Sequence, residues 1–117
     1  MGKPLVLSYA GCSTCRKALK WLSEHGVEAE VRAIVEQPPT VKELTGWIAA
    51  SGLPVRKWLN TSGQSYRALG KAKVDAADDA TIVRWLSQDG KLVKRPVLVS
   101  GKTVLVGFKV DQYQQLF

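Results

Sequence analysis

The sequence predicts an α/β fold: a mixed four-stranded sheet, built from a strand-helix-strand unit plus a C-terminal β-hairpin, with a helical insertion at about residues 40–90. Three observations carry this. A short apolar run at residues 4–9 leads through a turn into a helically periodic segment, and then into a second strand pattern. Near the other end, "PVLVSGKTVLVG" places two apolar strands about a Ser-Gly-Lys connection. Between these units the apolar spacing is that of helices. A strand-helix-strand unit implies two parallel strands joined by a right-handed crossover, and the hairpin adds two antiparallel strands beside them.

Each element follows from local chemistry. "PLVLSY", residues 4–9, is rich in strand formers and ends in a glycine-containing turn. From Ser13, Cys15, Ala18, Leu19 and Leu22 recur at helical spacing, and His25-Gly26 closes the helix. "EAEVRAIV" alternates as a second strand, and "QPPT" is a loop. Thr40 with Glu43 forms a capping box; Val41, Leu44 and Ile48 mark the following helix face, flanked by Trp47, and Gly52-Leu53-Pro54 stops it. "VRKWLNTSGQSYRALGK" reads as short helices broken between Asn60 and Gly63. Asp78-Asp79 opens a helix with Ile82, Trp85 and Leu86 inward, ended by Asp89-Gly90, and "DQYQQLF" supplies a last turn or two. The four Trp residues fall at helical positions or beside turns and are read as core or semi-core. This order is thioredoxin-like. No linker, repeat or low-complexity segment interrupts it, so residues 1–117 are read as one domain.

Composition narrows the function. The chain has 117 residues, 45% hydrophobic and 23% charged, which is ordinary for a globular protein. The N-terminal apolar run is too short to span a membrane and leads into charge rather than a cleavage site. Val6 stands where myristoylation of Gly2 would want Ser or Thr. A cytoplasmic setting is expected, with no membrane partner. Net charge is +7, from 17 Lys and Arg against 10 Asp and Glu, with clusters at Arg16, Lys17 and Lys20 and at Lys91, Lys94 and Arg95. Such a balance fits either a solvated basic surface or an anionic small ligand. Direct nucleic-acid binding is not expected, since there is no basic tail, RNP-like aromatic motif or zinc-finger spacing.

The chemistry centres on "AGCSTCRKALKWL", residues 10–22, which holds both cysteines, Cys12 and Cys15. In a reducing compartment a lone pair is catalytic or metal-binding more often than structural. Structural zinc needs four N or S ligands; the chain offers two Cys and one His, and His25 lies roughly three turns along the helix at about 1.5 Å per residue, which leaves only a site shared between two chains. His25 itself reads as a solvated residue near the helix end. A phosphatase-like loop would place Arg six positions after the nucleophile, where Ala18 and Trp21 stand instead. A C-x-x-C that follows a strand and opens a helix points to thiol redox chemistry. Cys12 would face the unpaired N–H groups and positive dipole of the helix N-terminus, with Arg16 and Lys17 one turn on, all of which favour its thiolate. Cys15 lies one turn deeper on the same face.

The segments "CSTCRKALKWL", "PPT-x-x-EL" around residues 38–44, "LNTSGQSYRALG", "LVKRPVLV" and "VLVGF" occur in an order that resembles the ArsC/Spx family of thioredoxin-fold proteins with a helical insertion. The resemblance covers nearly the whole chain. It implies that Cys12 is the nucleophile and that Arg56 and Arg95 are two of the three arginines by which glutaredoxin-linked arsenate reductases bind their oxyanion. Arg16 joins them as an anion-binding candidate. Val106-Gly107 occupies the place of the third arginine, with Lys109 the nearest cation, so arsenate reduction proper is not expected. The chain also ends at "YQQLF", similar to the compact glutathione-linked reductase-like branch, whereas Spx/MgsR-type regulators share the C-x-x-C and usually extend further. In thioredoxin folds a cis-proline faces the redox cysteine at this point, so the resemblance implies a cis Arg95–Pro96 bond.

Two functions follow as expectations. The first is a thiol-dependent reductase: the Cys12 thiolate attacks a small anionic or oxidised thiol substrate, and Cys15 or glutathione resolves the adduct. No bound cofactor is expected, with glutathione, thioredoxin or glutaredoxin as electron donor. The second is a redox-switched regulator that binds RNA polymerase or another protein, with a Cys12–Cys15 disulfide as the switch.

Overall fold

The computed structural model describes residues 3–117, so Gly2 and its acylation reading lie outside the described residues. The chain runs β1 (Leu5–Ser8), α1 (Ser13–Glu24), β2 (Glu30–Ala33), α2 (Val41–Ser51), a 3-10 turn (Val55–Trp58), α3 (Gln64–Leu69), α4 (Lys71–Ala76), α5 (Asp79–Gln88), a second 3-10 turn (Gly90–Leu92), β3 (Val97–Ser100), β4 (Thr103–Val106) and α6 (Val110–Leu116). The sheet order is β2-β1-β3-β4, with β1 parallel to β2 and antiparallel to β3. The fold is therefore the α/β arrangement expected, a strand-helix-strand unit and a hairpin sharing one mixed sheet.

The strand sequences explain why this sheet is a double-sided layer. β1 and β3 are central, so both of their faces are covered and they read as continuous apolar runs. Successive side chains point to opposite faces. Leu7 and Val97 join Leu44, Ile48, Trp58, Ile82 and Leu86 in the larger core, under the helical insertion. Val6 and Leu98 face the other way, onto Ala18 and Leu22 of α1 and Tyr113 of α6. β2 lies at an edge, and its Val31 stays 54% exposed. Among the described residues no helix is long and apolar enough to cross a membrane.

The caps act where the sequence put them. Thr40 Oγ1 accepts from Glu43 N–H (3.1 Å) while Glu43 Oε1 accepts from Thr40 N–H (3.0 Å). Arg32 of β2 adds a two-pronged ion pair to the same carboxylate, at 2.8 and 3.1 Å, and holds it below the usual carboxylate range. Asp78 caps α5 through Thr81 N–H. Two readings change. Val41 opens α2 but stays exposed, so the buried stripe is Leu44 and Ile48, one turn further in. The insertion also holds an additional helix, α4, separated from α3 by Gly70 at φ 88°, a conformation that favours glycine. At Gly90 a side chain would run into the Ile34 carbonyl, which packs the turn after α5 directly against the end of β2.

Candidate active site

Chain direction reverses sharply after β1, and that turn delivers Cys12. Cys12 N–H donates to the Tyr9 carbonyl (3.0 Å), and Gly11 leaves room for the Tyr9 ring folded back over it. Cys12 then takes an extended conformation as the N-cap of α1, and its Sγ accepts from Cys15 N–H at 3.3 Å. The nucleophile candidate is thus also the helix cap, a role usually filled by Ser, Thr, Asp or Asn. Burial raises the Cys12 pKa, but hydrogen bonding from the Cys15 side chain and N–H, together with the nearby charge of Arg95, outweighs it and sets the net value below that of an ordinary thiol.

Cys15 is the opposite case. It is fully buried, and burial, reinforced by the neighbouring Cys12 sulfur, pushes its pKa up to about 11. Both cysteines are free. The pair therefore consists of one accessible thiol biased towards thiolate and one enclosed thiol held protonated.

Arg95 reaches the site from the entry to β3. Its Nη1 donates to the Gly90 and Lys91 carbonyls (3.3 and 3.2 Å), and its guanidinium lies over the Tyr9 ring, 5.1 Å from the centroid. Its Nε is buried and has no hydrogen-bond partner among the described residues. The Arg95–Pro96 peptide is cis, and Pro96 is buried at the start of the hairpin, where its carbonyl accepts from Gly107 N–H (2.8 Å).

Cys12 opens into a cleft of about 540 Å³. The α1 N-terminus supplies Ser13 and Thr14, the insertion supplies Asn60 and Ser62, the strand entry supplies Lys94 and Arg95, and the end of the hairpin supplies residues 106–109. Val106 and Gly107, at the place of the third arginine, form wall rather than charge; Lys109 follows them in the chain and the Lys94 side chain approaches Gly107. A further hollow of about 440 Å³ between α3 and α5 is lined by neither thiol nor cation, so the chemistry belongs to the Cys12 cleft. Among the described residues no cluster of three His, Cys, Asp or Glu is placed to hold a metal.

The structure brings Cys12, Cys15 and Arg95 together, buries Pro96 behind Arg95 without placing it in the cleft wall, and leaves two expected residues elsewhere. Arg56 does not reach the cleft: its guanidinium donates to the Val74 (2.9 Å) and Ala77 (2.8 Å) carbonyls, clamping the 3-10 turn to the end of α4. The Val74 carbonyl also accepts from the Ala77 N–H (3.1 Å) that closes α4, and the planar fork of donors on Arg56 suits two carbonyls at once. Arg16 is turned back to the Ala10 carbonyl (2.6 Å), bracing the loop rather than facing its mouth. The sequence alone assigns no role to Asn60 or Ser62, and places Lys94 only in a basic cluster. "LNTSGQ" was the available signal for the first two, but only the tertiary fold brings that loop to the cysteine.

The family model described as ArsC family matches residues 7–116. The uncharacterized protein YusI of Bacillus subtilis is 45% identical over 108 residues, covering 92% of both chains. The regulatory protein MgsR of the same organism is 27% identical over 109 residues, covering 93% of this chain and 86% of MgsR. Escherichia coli arsenate reductase is 33% identical over 89 residues, covering 76% of this chain and 62% of the reductase. The crystal structure of an ArsC family related protein from Bacteroides fragilis superposes with a TM-score of 0.94 at 46% identity, covering 99% of this chain and 98% of that one. A family model that spans nearly the whole chain, with relatives among both reductases and regulators, establishes that this chain belongs to the ArsC family.

Proposed function

We propose that the protein is a thiol-dependent reductase. The observation that carries the reading is the inequality of the two thiols: Cys12 faces the cleft with its pKa lowered, while Cys15 is enclosed with its pKa raised. An attacking thiol needs thiolate and access. Cys12 attacks an oxidised sulfur or an oxyanion, while Arg95, with Lys94 and Lys109, holds the negative charge. Cys15 or a molecule of glutathione then displaces the product, and glutathione, glutaredoxin or thioredoxin returns the electrons. A cytoplasmic setting would keep both thiols reduced between turnovers.

Arsenate is a poor substrate in this reading. Hydrogen bonds to charged groups are worth about 1.5–3 kcal/mol, so Val106-Gly107 in place of a third arginine costs about one to two powers of ten in rate. The test is a coupled assay, with glutathione plus glutaredoxin or with thioredoxin as donor, offering small disulfides and arsenate. Disulfide turnover that disappears in Cys12→Ser is expected. Arsenate turnover equal to that of the E. coli reductase, or no turnover of any disulfide, refutes the reading.

The MgsR relative favours a second reading, a regulator switched by a Cys12–Cys15 disulfide and acting on RNA polymerase or another protein. The close approach of Cys15 N–H to Cys12 Sγ supports such a bond. A partner retained only by the oxidised form, or only by the reduced form, would favour it over turnover.

A further inference from the structure

The hollows around Cys12 border one another. The Cys12 cleft shares Asn60 and Arg95 with a hollow of about 340 Å³ bordered by Tyr9 and Lys91. That hollow shares Gln64 and Ser65 with the apolar one between α3 and α5, where Leu69 and Trp85 form the wall. On its other side the cleft shares Lys94, Val106 and Lys109 with a hollow of about 290 Å³ that reaches Lys57. The hollows thus adjoin in series, a segmented groove in which the Cys12 cleft lies between two neighbours.

Charge and size both bear on its occupant. Lys57, Lys91, Lys94, Arg95 and Lys109 border the groove. The only carboxylate among its described lining residues is Asp89, which already accepts from Lys91 N–H (3.0 Å). Lys91 and Arg95 lie over the same Tyr9 ring, at 5.8 and 5.1 Å from its centroid, so two like charges share one aromatic support, and among the described residues neither has an ion-pair partner. The cleft alone, at about 540 Å³, is of the size that takes a ligand much larger than a free oxyanion.

We infer that the groove receives an extended acidic segment of a partner protein that carries the oxidised cysteine, with its disulfide at Cys12, carboxylates beside Lys91 and Arg95, and an apolar side chain in the Leu69–Trp85 hollow. This names the substrate class of the reductase reading and rests on it. With a protein cysteine capped by a small thiol, the Cys12 thiolate attacks the protein's sulfur; a Cys12–protein disulfide forms and the small thiolate leaves. Cys15 attacks Cys12 Sγ and its proton passes to the departing protein sulfur, which leaves as the thiol. The Cys12–Cys15 disulfide then retains the two oxidising equivalents until an external dithiol reduces it.

The experiment uses Cys15→Ser, which stops at the mixed disulfide. Cysteine peptides and glutathione, each activated with the same coloured aromatic thiolate, are mixed with the protein, and release of the colour is timed. Each rate is divided by that of the same probe with a small free thiol. An acidic peptide with Leu is expected to react at least tenfold faster than its Lys-for-Glu counterpart at low salt, with the ratio shrinking as salt rises. Replacing that Leu with Ser should slow the reaction several-fold at every salt concentration, and Lys91→Glu should shrink the acidic peptide's advantage. Equal normalised rates for all peptides, or a glutathione probe faster than every peptide, overturns the inference while leaving the reductase reading standing. Failure of Cys12 to react with any probe overturns that reading instead.

Discussion

Replacing Arg56 with Ala distinguishes a clamp from an anion ligand. In the structure its guanidinium holds two carbonyls at the end of α4, at 2.9 and 2.8 Å. Hydrogen bonds to charged groups net about 1.5–3 kcal/mol each, and the exposure of this side chain puts the pair at the low end, about 2 kcal/mol in all. A chain of this length unfolds with an entropy of about 0.25 kcal/mol per kelvin, so the midpoint should fall by about 8 °C. Arg56→Lys keeps the charge but loses the fork, and should recover about half of that. Thermal unfolding followed by circular dichroism reads the loss, while Cys12 alkylation at neutral pH should be unchanged below the transition. A midpoint within about 2 °C of the parent, combined with slower Cys12 chemistry or weaker anion binding, would refute the clamp and return Arg56 to the active site.

Limiting iodoacetamide at neutral pH, followed by peptide mapping, should label Cys12 first. Cys15, with its pKa pushed up to about 11, stays protonated and unlabelled until the solution is strongly alkaline, and early labelling of Cys15 would reverse the roles. Arg95→Lys keeps the charge but loses the planar fork; the Cys12 thiolate titration should move towards higher pH and sulfate or glutathione binding should weaken, whereas a variant identical in both would remove Arg95 from the mechanism. Tyr113 has a buried hydroxyl without a hydrogen-bond partner among the described residues, and burial pushes its pKa up to about 12. Removing such a group relieves a desolvation cost of about 1–3 kcal/mol, so Tyr113→Phe should unfold at the parent's midpoint or above it, and a clear loss of stability would mean that the hydroxyl is paired.

The elements easiest to read were those whose signal is local. The paired apolar runs of β1 and β3, the Thr40–Glu43 capping box and the hairpin turn each lie within a few residues, and the cysteines follow from their place between strand and helix. α4 escaped because "KAKVDA" buries only Val74 and so shows no periodicity. Val41 misled because a first-turn residue fits the apolar spacing and yet remains in solvent. Arg56 misled for a different reason. Its partners, Val74 and Ala77, lie 18 and 21 residues away and are backbone carbonyls, which leave no trace in sequence. Asn60 and Lys94 are likewise joined to the cleft by the pairing of their two segments, through Asn60 N–H to Leu92 O and Lys94 N–H to Trp58 O (both 2.8 Å).

Because the cap of α1 is itself the reacting atom, the helix registers the state of the sulfur. A thiolate is a full acceptor for the Cys15 amide; a sulfur tied into a covalent adduct is a much weaker one, and the first turn then has a donor to spare. The Cys15 amide should accordingly exchange with solvent faster and shift upfield whenever Cys12 is occupied, with no probe attached. One backbone proton, followed by NMR during turnover, would serve as a built-in gauge of how much of the protein is loaded.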